Sequence, residues 1–88
     1  MGFRETAAQH EQLLAQLNEE RAAALRRISR TLESLIAHLH DSRARLGDAT
    51  GDARARELAL FRDLRHRAKR HRWHLEVQRE ALGLRTPT

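Results

Sequence analysis

Gly47-Asp48-Ala49-Thr50-Gly51-Asp52 is the one cluster of turn-forming residues in a chain of 88. Everything on either side reads as helix. Gly47 suits the left-handed position that ends a helix. Thr50 or Asp52 can cap the next, because a short side-chain oxygen accepts from the free amides of a first turn. Upstream, Thr6-Ala7-Ala8-Gln9 fits the spacing of a capping box. The reading is therefore a first helix over about 7–46, a turn over 47–52 and a second helix over about 53–83. Gly83 and Pro87 close the second helix and leave a short tail, 84–88. No long internal repeat divides the chain, and one domain is expected.

The apolar spacing on each side of the turn says how the helices meet. Leu25, Ile28, Leu32, Leu35, Leu39, Ser42 and Leu46 alternate steps of three and four, the pattern of a narrow helix-packing seam. Ile36 widens that stripe. Ala7, Leu14, Leu17 and Ala24 carry it upstream, with Asn18 and Arg21 interrupting. The second helix has its own seam: Phe61, Leu64, Ala68, His71, Leu75, Gln78 and Leu82. A short connection between two long helices makes them antiparallel neighbours. The predicted fold is all-α, an antiparallel helical hairpin resembling a coiled coil.

Composition supports that reading and removes others. Four Gly, one Pro, two Phe, one Trp and no Tyr do not suit an all-β domain, which needs turns and aromatic strands. The absence of Cys excludes disulfides, thiolate metal sites and a Cys nucleophile. No apolar run approaches the roughly 18–20 residues of a membrane span. Met1-Gly2-Phe3-Arg4-Glu5 lacks the apolar core of an export signal, so a cytoplasmic location is expected.

One hairpin leaves apolar residues over. Trp73, Val77 and Leu84 lie on the outer face of the second helix, away from its seam. The first helix is the longer, so its N-terminal turns overhang, and Leu13, Leu14 and Leu17 need cover. Leu13 reads as off the seam. Exposed apolar groups of this extent mark an association surface. Dimerisation into a four-helix bundle, or docking on another protein, would cover them.

Charge is unevenly placed. The net charge is +5, and the cations are sixteen Arg and one Lys. A GC-rich coding bias produces that ratio without selection for guanidinium chemistry. Residues 1–20 sum to −3, residues 21–47 to +4, and residues 64–72 to +5 with no acid at all. Folding the hairpin at residue 49 lays Arg26, Arg27 and Arg30 beside Arg65, Arg67, Lys69, Arg70 and Arg72. Such a band calls for an acidic counterpart: the acidic N-terminal segment of another subunit, a partner protein, or phosphates. Neither a helix-turn-helix pattern nor the aromatic motifs of RNA-binding sheets occurs.

Six His is a high count for this length. His71 and His74 share a helix face and are the weak candidates for a metal, but residues 24–28 across the hairpin offer no third ligand. A hydrogen-bonded interior role fits His71 better. His38 and His40 flank Leu39, which places them at the shoulder of the bundle or exposed. There is no nucleophile elbow around Ser29, Ser34 or Ser42 and no Gly-rich phosphate loop. No enzyme, cofactor or small-molecule substrate is expected. The leading expectation is a non-enzymatic module or accessory subunit working through protein contact, as a homo-oligomer or in a larger complex. The alternative is a dimeric bundle whose Arg-rich face binds RNA or DNA backbone. A membrane partner is not expected.

Overall fold

The seam written into residues 25–46 is the line along which two helices meet in the computed structural model, which describes residues 3–83. Helix α1 spans Phe3–Asp48 and helix α2 spans Gly51–Ala81. No strand occurs among the described residues. The helices run antiparallel: Arg45 near the end of α1 pairs with Glu57 near the start of α2, and Leu32 and Leu39 lie by Arg65 and Ala68.

Both seams face inward. Leu35, Leu64 and Leu75 are buried, at 4%, 5% and 7% exposure, and Ser42 is wholly buried. Leu25, Ile28, Leu32, Leu39 and Leu46 are half-buried, as are Phe61, Ala68, His71, Gln78 and Leu82. The reason is geometric. Steps of three and four residues return to the same face of a helix with 3.6 residues per turn, and only that face reaches the neighbouring helix.

The turn is tighter than six residues. Only Ala49 and Thr50 separate the helices. The left-handed conformation falls at Gly51, φ +59°, while Gly47 stays helical with no positive φ. One left-handed residue suffices to reverse the chain, so α1 continues through Gly47 and closes with the Ala49 amide donating to the Arg45 carbonyl at 3.0 Å. Thr50 takes the N-cap position in extended conformation, φ −134°, but its side chain makes no capping hydrogen bond. Helix charge agrees with position: Arg45 lies in the last turn of α1 and Asp52 in the first of α2, each opposite in sign to its helix end.

At the other end α1 is already helical at Phe3, so Thr6-Ala7-Ala8-Gln9 lies inside the helix rather than at its start. Helix α2 ends as its sequence suggests. Gly83 has φ +71° and its amide donates to the Glu80 carbonyl at 3.0 Å, next to the Leu82 amide on the Gln78 carbonyl at 3.1 Å. Pro87 and the rest of the tail lie outside the described residues.

The result is a rod of 75 × 29 × 14 Å. Its radius of gyration, 20.7 Å, compares with about 12 Å for a compact chain of this length. Helix α1 has 46 residues and α2 has 31, so α1 is longer by roughly 22 Å at 1.5 Å per residue. That excess projects beyond α2, and residues 6–21 are all exposed.

Candidate interaction surfaces

The overhang carries the first surface. Leu13, Leu14 and Leu17 are 62%, 46% and 40% exposed. Leu17 lies 18 residues before Leu35, about five full turns, so it occupies the same face as the buried seam. Leu13 falls about 40° from that line. It borders the stripe, which on a straight helix drifts about 20° per heptad from a strict 3.5-residue repeat. The seam thus continues past the point where α2 stops, and none of the described residues covers it.

The second surface is on the back of α2. Trp73 is 63% exposed and Val77 37%. Trp73 is two residues before buried Leu75, about 200° around the helix, and so points away from α1. Its ring lies 5.9 Å from that of His74, tilted by 53°. Leu84, the third member of this group in the sequence, lies outside the described residues.

The basic band is divided rather than gathered. A helix turns about 100° per residue, so a nine-residue run of cations wraps the whole of α2. Arg65, Lys69 and Arg72 form one rim of an open groove of about 190 Å³, whose floor is Leu32, Ile36, Leu39 and Ala68. Ile36 is 44% exposed there. Arg67 and Arg70 instead line a hollow of about 380 Å³ with His71 and His74. Arg26 is nine residues before Leu35, about 180° around α1, and therefore faces away from α2. Arg27 and Arg30 are likewise exposed. Ion pairs relieve part of the band. Arg67 lies 3.7 Å from Asp63 and Arg72 3.5 Å from Glu76, both across one turn of exposed helix, where such pairs contribute a few tenths of a kcal/mol.

His71 is held by its own helix: Nδ1 lies 3.0 Å from the Arg67 carbonyl. A carbonyl oxygen only accepts, so Nδ1 carries the proton. Among the described residues no three His, Asp or Glu side chains converge as a metal site would require, and His71 and His74 share their hollow with Arg67 and Arg70.

One cluster is not marked by the apolar spacing along the chain. Near the turn, Arg45 Nε donates to Glu57 Oε1 at 2.9 Å. Ser42 Oγ is buried beside them without a well-formed hydrogen bond. The Ser42 hydroxyl, and then the Arg45 guanidinium, hold the Glu57 carboxyl below its ordinary value against the opposing effect of burial. The signal was available in the hairpin register, since positions 42 and 57 sum to 99 about a turn near residue 49.

No helix among the described residues is long and apolar enough to cross a membrane. No protein-family model, curated protein or solved structure matches the chain.

Proposed function

We propose that the chain is a non-enzymatic interaction module, a small accessory or assembly subunit that works through its helical hairpin. The observation that carries this reading is surface in excess of what the fold can cover. The molecule exposes 7557 Å², where a compact folded chain of its 10.2 kDa exposes about 5,300 Å². Within that surface lie two separate apolar groups, the leucines of the overhang and Trp73 with Val77. Apolar side chains in contiguous groups gain by association, because contact removes their area from water. The flanking charge steers the encounter and sets its register.

Light scattering on the purified chain, with absorbance at 260 and 280 nm, tests the reading. The expected result is a mass above 10.2 kDa, free of nucleic acid. Trp73→Ala, or Leu14→Ser with Leu17→Ser, should lower that mass.

The hollow formed by Arg67, Arg70, His71 and His74 favours a second reading, binding of RNA or DNA backbone. Cations placed this way release counterions from phosphates, and affinity then falls steeply with salt. Under that reading the apolar substitutions leave binding intact, while replacing Arg65, Arg67 and Arg70 by Gln abolishes it.

A further inference from the structure

We infer that the occupant of the groove at Ile36 is the N-terminal overhang of a second copy of this chain, exchanged reciprocally so that two α1 helices run antiparallel about Leu25. This deepens the interaction-module reading and rests on it.

Three observations converge. The first is spacing. Leu14, Leu25 and Ile36 are each 11 residues apart, about three turns, and so lie in line on one face of α1. Leu14 and Ile36 are exposed and Leu25 is half-covered. A two-fold axis at Leu25 pairs each residue with the one whose number brings the sum to 50. It sets Leu14 of each copy on Ile36 of the other, and Leu25 against itself. A closed pair of this kind uses the same patch on both copies and leaves no open end.

The second is charge. Residues 1–20 sum to −3, and Glu11 and Glu20 border the leucine stripe of the overhang on either side, at about 100° per residue. The groove they would enter is rimmed by Arg65, Lys69 and Arg72. Each end of the pair then brings an acidic, apolar helix onto a basic, apolar groove. This relieves the like-charge crowding that the isolated hairpin carries.

The third is continuity. The overhang presents the same stripe that α2 covers further along α1, and it lacks only a helix to pack on. The groove lies between two helices and lacks only a third. Paired segments running from residue 14 to residue 36 extend over about 33 Å. A seam of that length on both copies suits an interface of standard size, about 800 Å² per partner.

The experiment uses exposed charges, so the hairpin fold is not at risk. One full-length variant carries Glu11→Lys and Glu20→Lys. A second carries Arg65→Glu and Lys69→Glu. Each alone should dissociate at least ten-fold more readily than the parent by sedimentation. Mixed in equal amounts they should form a one-to-one pair close to parental affinity, because both exchanged contacts then join opposite charges. The register is read separately by thiols, since the chain has no Cys of its own. Leu25→Cys should link to itself through a short bismaleimide. Leu14→Cys should link to Ile36→Cys in a mixture but not to itself, because the two copies of residue 14 stand about 33 Å apart.

A dimer whose mixed variants do not recover, or one linked through Trp73→Cys instead, overturns this pairing while leaving the module reading standing. A parent chain that is monomeric and binds DNA or RNA in a salt-sensitive way overturns both.

Discussion

Ser42 sits where a coiled-coil seam would ordinarily hold a larger apolar side chain. It is completely buried, and its hydroxyl lacks a well-formed hydrogen bond. Replacing it with Ala removes a polar group that the interface barely satisfies, so the stability change should stay within about 1 kcal/mol by urea denaturation. The same substitution should return the Glu57 carboxyl toward its ordinary value of 4.5, read by NMR titration. Leu35→Ala should behave differently. Leu35 is 4% exposed and one of few fully covered apolar residues, so its truncation should cost about 2–3 kcal/mol in the same assay. That is a large part of the stability of a small fold.

Acid sensitivity of the hairpin is expected at Glu57, and the sign follows from its environment. Its carboxyl is held low in the folded state by Ser42 and Arg45. The resulting stabilisation is present in full above the ordinary value of 4.5. It is lost as pH falls below that value and through the lowered folded one. Thermal melting should therefore decline from about pH 5 downward, and Glu57→Gln should flatten that part of the profile.

At the scale of the element, two glycines four residues apart should respond in opposite directions. Gly47 is helical and has open space around the position of a Cβ. Gly47→Ala should stabilise α1 by about 0.5–1 kcal/mol, because Ala loses less backbone entropy in a helix. Gly51 has φ +59°, where a side chain meets its own backbone. Gly51→Ala should destabilise the turn by about 1–2 kcal/mol. Paired thermal melts check both. The sequence marked this turn but named the wrong glycine for the left-handed residue. Both sit in a plausible place by residue type, and only the path of the chain into α2 decides between them. The capping box at Thr6 failed for a similar reason. A local pattern names a place where a helix can start, and here good helix formers extend it further upstream.

For the molecule as a whole, two helices bury one stripe each and leave the remainder to another surface. If two copies complete that surface, folding and association are linked, and the melting temperature should rise with protein concentration. Added salt should lower it at fixed concentration, because exposed charge contacts are screened within about 10 Å at 0.1 M. A melting curve independent of both would mean that the lone hairpin supplies all the stability.

Periodicity determined much of this in advance. The two helices, the turn between them and all fourteen seam positions, from Leu25 to Leu46 and from Phe61 to Leu82, follow from steps of three and four on either side of one Gly-rich cluster. Those features are local, and each residue's face is set by its own helix. What surrounds that face is not local. The basic band read as one cluster because its residues are neighbours along the chain. Folded, it divides between the groove at Ile36 and the hollow at His71, since helical rotation separates residues that sequence places together. The clasp of Ser42, Arg45 and Glu57 likewise exists only because two helices meet at one register. Spacing along the chain can say which face a side chain takes, but only packing brings a second helix to it.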